Sequence, residues 1–235
     1  MSQSIFEILK TLDWSPLFIS LKTGIVATAL CFVLGILTAG WIMGRETGIR
    51  SVIDSILTLP MVLPPTASGF FLLLLFSKRR PLGMYLYDHF DIKIVQSWAG
   101  CVIAAFVISF PLMYRNARAA FEQVDINLIY AGRTLGMSDM SIFLKVVFPA
   151  ARPGIASGTV LTFARAIGEY GATSMLAGNI PGKTATISQK IAMVIQNGDY
   201  VTAGIWVVIV LIIAFLIMLL MNLITGKNGK GQVKW

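Results

Sequence analysis

The stretch that decides the reading is residues 125–155, DINLIYAGRTLGMSDMSIFLKVVFPAARPGI. It is the most polar long segment in an otherwise apolar chain, and it lies between two hydrophobic spans. It reads as two short helices joined by a tight turn. The first runs from Ile126 to Leu135 with Asp125 placed to cap it. Gly136 follows, the residue that most cheaply takes the left-handed conformation ending a helix. Ser138 or Asp139 can cap the second helix. That helix carries Ile142, Phe143, Val146 and Val147 on one face and is expected to end before Pro149. A helical hairpin of this size at a membrane surface is a shape for another protein to grip.

Composition sets the class. The chain of 235 residues is 56% hydrophobic and 13% charged, with a mean hydropathy of +0.78. A soluble domain carries about 25% charge, so this is an integral membrane protein, expected as one domain. Cys31 and Cys101 lie in apolar spans and read as small hydrophobes rather than a disulfide. The formal charge of +8 would point to nucleic acid only if the basic residues clustered on one face. They sit instead in short loops and at helix ends, so no nucleic-acid partner is expected. The first fifteen residues lack a basic start before an apolar core, so no cleavable signal peptide is expected.

Residues 1–15 read either as an interfacial helix with Trp14 at the membrane boundary or as a frayed terminus. Five spans follow, at about 17–43, 53–76, 97–114, 155–176 and 204–224, since about 20 apolar residues cross the hydrocarbon core. A membrane domain over 16–225 and a basic tail over 226–235 complete the organisation. Lys22 can snorkel from the first span. The second span holds Pro60, Pro64 and Pro65, which must break or bend it, and such backbone persists only if buried in protein or facing a water-filled path. Thr66 and Ser68 are therefore placed near a pathway, with a packed structural kink as the alternative. The loop after it, residues 77–96, carries the basic run Lys78–Arg80 and the only histidine, His89, which alone builds no metal site. In the loop after the fourth span, Thr184, Thr186 and Ser188 alternate as in an exposed strand or a helix start.

Arg165 and Glu169 lie within the fourth span, four residues apart and so able to pair on one helix face. Unpaired charge there costs roughly 2.5–3.5 kcal/mol on insertion scales. The pair must face the bundle interior, a subunit interface or a water-filled cavity. Arg165 could assist an anion with Glu169 tuning its field, or the two could form a structural brace.

The polar stretch resembles the cytoplasmic loop of the membrane subunits of bacterial ABC importers. Their motif is Glu-Ala-Ala, three residues, Gly, nine residues, Ile, one residue, Leu-Pro. Here it falls on Tyr130-Ala131-Gly132, Gly136, Val146 and Phe148-Pro149, with Tyr130 in the usual acidic position. The blocks LPMVLPPTASGFFLLLLF, FARAIGEYGATSMLAGNIPGKT and FSKRRPLG narrow the resemblance to the permeases of molybdate importers, with tungstate and sulfate relatives on the same scaffold. The resemblance implies an all-α membrane protein of five transmembrane helices, with the N-terminus outside and the C-terminus cytoplasmic. It implies that Tyr130, Ala131, Gly132, Arg133, Thr134, Leu135, Gly136 and Met137 dock on an ATPase subunit. It also implies a homodimer of this chain, a pair of ATPase subunits in the cytoplasm and an extracytoplasmic oxyanion-binding protein. On this topology the inner segments hold ten basic residues against seven outside, the expected sense of bias.

The chain has no P-loop, no HExxH and no nucleophile–base pairing, so neither catalysis nor a cofactor is expected. Five spans without an inverted repeat weigh against a secondary transporter. Arg165 with Glu169 supplies neither nucleophile nor base for an intramembrane enzyme.

Overall fold

A computed structural model describes residues 10–43 and 47–228. The described residues are helical, with no strand among them. In chain order the helices are α1 (Ser15–Met43), α2 (Thr47–Val62), α3 (Pro65–Phe76), α4 (Pro81–Phe90), α5 (Trp98–Glu122), α6 (Ile126–Thr134) and α7 (Asp139–Ile142). A π-helical turn (Phe143–Val147) leads into α8 (Phe148–Ile167), followed by α9 (Gly171–Leu176), α10 (Ile187–Gln196) and α11 (Tyr200–Asn228).

Among the described residues, three helices are long and apolar enough to cross a membrane: α1, α5 and α11. The pair α2–α3 passes the same test together but is bent by 108° at its break. Pro64 and Pro65 account for the bend, since neither carries an N–H to continue the α2 ladder and Pro65 opens α3 at its first turn. The fourth expected span, 155–176, is not one helix. It divides into α8 and α9 at Gly168–Tyr170. The third span is longer than expected, because α5 carries Pro111 without ending and continues to Glu122.

The body is a packing of α1, α5 and α8. Cys31, Ala39 and Ile42 of α1 meet Met113, Tyr114, Ala117 and Phe121 of α5, and Val147, Ala151 and Ile155 complete the cluster. Lipid tails are as apolar as these side chains, so close contact rather than exclusion of water must hold the helices together, and small residues permit it. A Cβ on Gly158 would lie 2.5 Å from the Cβ of Asn116, and one on Gly154 2.6 Å from that of Ala120. Cys31 and Cys101 are free and fully buried; Cys101 donates weakly from Sγ to the Thr184 carbonyl at 3.5 Å. Lys22 places its Nζ 4.1 Å from the centre of the Trp98 ring.

The remaining expectations divide. The loop 77–96 contains a helix, α4, opened by Pro81. Thr184 and Thr186 are buried, not exposed. Thr186 is the N-cap of α10, and its N–H donates to Gln189 Oε1 at 2.9 Å. Residues 1–9 of the proposed interfacial helix and 229–235 of the basic tail lie outside the described residues. Trp14 makes an edge-to-face contact with the buried Trp206 of α11, with ring centroids 6.1 Å apart.

The two helix breaks meet. A Cβ on Gly171, the first residue of α9, would lie 2.8 Å from Pro65 Cβ and 3.1 Å from the Thr66 nitrogen. One on Gly69 would lie 2.6 Å from Ala172 Cα. Gly171→Val should therefore separate the corners and lower stability by about 1–3 kcal/mol, whereas Gly204→Ala, with nothing within 4 Å, should be neutral or mildly stabilising. Thermal unfolding of the purified protein in detergent checks both.

Candidate docking loop and membrane crossing site

The docking loop is built by local chemistry. Asp125 Oδ1 accepts from the Asn127 N–H at 2.9 Å and starts α6. At the other end Gly136 has φ +73°. Its N–H bonds to the Arg133 carbonyl at 2.9 Å, and the Met137 N–H reaches back to the Gly132 carbonyl at 3.1 Å. These two bonds form a Schellman motif, which satisfies carbonyls that the helix end would otherwise leave open. Ser138, not Asp139, is the cap of the second helix, accepting from the Ser141 N–H at 3.3 Å. Asp139 instead pairs with Arg133 at 3.3 Å, both well exposed.

The second helix does not stop before Pro149. It widens into the π-helical turn, where the Phe148 N–H bonds to the Phe143 carbonyl, and runs on as α8 to Ile167. Pro149 has no N–H to offer the carbonyl one turn back and its ring crowds that carbonyl. A wider turn immediately before it absorbs the conflict without ending the helix. The docking loop is consequently continuous with a core helix on its C-terminal side. On its N-terminal side only Gln123 and Val124 separate α5 from the cap Asp125.

Of the eight residues assigned to docking, Gly132 is buried under Ile142 and Met137 is half-buried. Tyr130, Ala131, Arg133, Thr134, Leu135 and Gly136 are exposed. Leu135 is 80% exposed, and Met140 68%. Large apolar side chains left this exposed mark a candidate contact surface.

At the candidate crossing site Arg165 Nη1 donates to Glu169 Oε2 at 2.7 Å. The two do not share a helix, because α8 ends at Ile167 and Glu169 lies in the break. The second oxygen of Glu169 accepts from the Ala172 N–H at 2.8 Å. The carboxylate thus holds the end of α8 and the start of α9 together, and it is almost fully buried while Arg165 stays 37% exposed. Thr66 and Ser68 lie in different surroundings. Thr66 is exposed at the corner, whereas Ser68 is buried and its hydroxyl has no hydrogen-bond partner among the described protein atoms. The corner brings Thr66 beside Gly171, two residues from Glu169, a proximity that no spacing in the sequence announces.

A further group of charges went unread in the sequence. Arg50 and Asp54 of α2 pair with Arg118 and Glu122 of α5. Asp54 falls at the edge of the expected second span and Arg50 just before it. Their separation of more than sixty residues from their partners leaves no local signal of pairing.

Comparison with known proteins places this geometry. The family of binding-protein-dependent transport system inner membrane components matches residues 31–227. The chain is similar to the molybdenum transport system permease protein ModB of Escherichia coli K12, 43% identical over 187 residues, covering 79% of this chain and 81% of that protein. The sulfate transport system permease protein CysT of Salmonella typhimurium is 32% identical over 216 residues, covering 92% and 77%. Among solved structures, an inward-facing form of the methionine ABC transporter MetNI overlays with a TM-score of 0.72 at 17% identity, covering 97% of this chain and 99% of that one. A bacterial ABC transporter that imports alginate overlays with a TM-score of 0.77 at 14% identity, covering 98% and 85%. The chain belongs to the binding-protein-dependent transport system inner membrane component family, and it is a multi-pass permease of the ABC importer type.

Proposed function

We propose that this chain forms the path through which an ATP-driven importer carries molybdate across the inner membrane. One observation carries the substrate: the 43% identity to a molybdenum permease, against 32% to a sulfate permease. The sulfate relative keeps sulfate or thiosulfate as the second reading, with tungstate as a close analogue of molybdate. Residues 16–225 form the membrane domain, with five crossings, the N-terminus outside and the C-terminus cytoplasmic. Two copies of the chain enclose the path. An extracytoplasmic protein delivers the oxyanion and supplies most of the selectivity.

Hydrolysis belongs to a separate pair of ATPase subunits, and this chain performs no catalysis. Tyr130 to Met137 dock on that pair. The exposed Leu135 and Met140 suit an apolar groove, and the exposed Tyr130 supplies an aromatic contact where relatives of this type carry an acid. When ATP closes the ATPase pair, the docked loops swing α5 and α8 and turn the dimer from inward-open to outward-open. Thr66, Ser68, Arg165 and Glu169 belong to the path. Arg165 is the cation that meets the oxyanion, and Glu169 holds it in place through the break.

Reconstitution in liposomes tests the substrate. The chain with its ATPase subunits should hydrolyse ATP faster when a binding protein loaded with molybdate or tungstate is added, and not when the same protein is offered sulfate. Stimulation by sulfate alone would select the second reading; uptake without any ATPase would overturn both. Gly136→Val forces a β-branched residue into φ +73°, a strain of about 1–3 kcal/mol. It should abolish coupled uptake while thermal unfolding of the membrane helices is nearly unchanged. Arg165→Ala should lower uptake at least about tenfold and also lower the unfolding temperature, because it leaves the buried Glu169 carboxylate without its cation. Glu169→Ala should lower both, because it also strips the Ala172 N–H of its acceptor at a cost of about 1–3 kcal/mol.

A further inference from the structure

α2 is fastened to the body in an unusual way. Ile53 and Leu57 touch the main core, whereas Ile49, Val52, Ile56 and Leu59 face outward and are exposed. Between these faces runs a line of charge. Arg118 donates from Nη1 to Asp54 Oδ2 and from Nε to Glu122 Oε1, the latter at 2.9 Å. Arg50 donates to the same Glu122 oxygen. The buried Tyr114 hydroxyl donates to the second oxygen of Asp54. The four charges alternate in sign, so every member has an opposite neighbour.

Two placements give this lattice a mechanical meaning. Glu122 is the last residue of α5, three residues before the cap that opens the docking loop. Asp54 sits two turns before the 108° corner, beyond which Pro65 packs on Gly171. The lattice therefore spans from the root of the docking loop to the lever that ends at the crossing site. A polar cleft of about 430 Å³, lined among others by Ser55, Thr58 and Arg115, lies against it and leaves the pairs room to shift. The side chains of Asp54 and Arg118 are 22% and 23% exposed, so the pairs are shielded enough to be strong, yet they reach the cleft.

We propose that the Arg50–Glu122–Arg118–Asp54 lattice is the joint that carries movement of the docking loop into the bent α2–α3 segment, with Arg118 as its positioning residue. The inference rests on the importer reading. α5 runs almost directly into the docking loop, so displacement of the loop moves Arg118 and Glu122. α2 follows because both of its charges are held there; its apolar contacts alone are few and non-directional. Without the charges the loop moves and α2 lags, and hydrolysis continues without transport.

The test uses the complete transporter in liposomes, with molybdate uptake and ATP hydrolysis measured on the same vesicles. Asp54→Asn and Arg118→Gln should each lower molybdate carried per ATP by about fivefold or more, the lower end of an ordinary coupling energy. The double variant should be no worse than either single one, since both remove the same pairing. Asp54→Glu keeps the charge and should stay within about twofold of the parent, a pattern that loss of packing does not produce, whereas Arg118→Lys keeps the charge but not the fork that reaches both Asp54 and Glu122 and should fall between the parent and Arg118→Gln. Unchanged uptake per ATP in the neutral variants, or equal damage from Asp54→Asn and Asp54→Glu, would overturn the joint. Spin labels on the exposed Val52 and Val208 read the movement without reference to substrate. ATP should change their separation in the parent and not in Asp54→Asn, and equal changes in both would overturn the joint. A parent complex that moves its labels but carries no oxyanion would count against the proposed function alone.

Discussion

Hydrocarbon offers no hydrogen bonds to a peptide group, and this permease breaks two of its helical segments all the same. The break after Val62 and the break after Ile167 are tolerable because they are seated on each other. Gly171 admits Pro65 and Thr66 to van der Waals distance, and Glu169 returns an acceptor to the Ala172 N–H that the break exposes. The same carboxylate neutralises Arg165. One buried side chain thus satisfies a helix start and a cation together. Irregular backbone, small residues and paired charge are not three features of the fold but one solution to a single constraint.

Around that centre the chain divides into parts of different firmness. The α1–α5–α8 body is closely packed through small residues. The candidate docking loop is locally determined by its own caps; it runs on into α8 and is joined to α5 by Gln123–Asp125. By contrast, α2 rests on the body through a narrow apolar seam and a lattice of ions. Packed cores transmit displacement because they have few alternative arrangements, whereas ion pairs hold direction and release it at modest cost. A transporter that must move rigid units against each other needs both kinds of contact.

Much of this was legible in the residues. Asp125, Gly136 and Ser138 act through hydrogen bonds within a few positions, so their roles follow from local chemistry. Pro64 and Pro65 announced the corner for the same reason. Pro149 misled, because a proline normally ends a helix, and the π-helical turn that lets the helix pass through it is set by packing of Phe143 and Val147 into the core. Arg165 and Glu169 were paired correctly by spacing, but the helix they were placed on ends between them. Spacing gives reach; it does not say whether the backbone between two residues is helical.

The sequence by itself determined the membrane class, the helical composition, the polar hairpin at 125–142 and its caps, because each depends on apolar content or on contacts a few residues apart. Only the tertiary structure decided that the two helix breaks meet, that Glu169 bridges Arg165 and Ala172, and that Arg50 and Asp54 pair with Glu122 and Arg118. The Glu169 bridge is short in sequence but depends on where the helix breaks; the corner and the ion pairs join positions separated by sixty to more than a hundred residues, and which helices lie side by side is settled by the shape of small and large residues across a whole interface, which no single stretch of the chain contains.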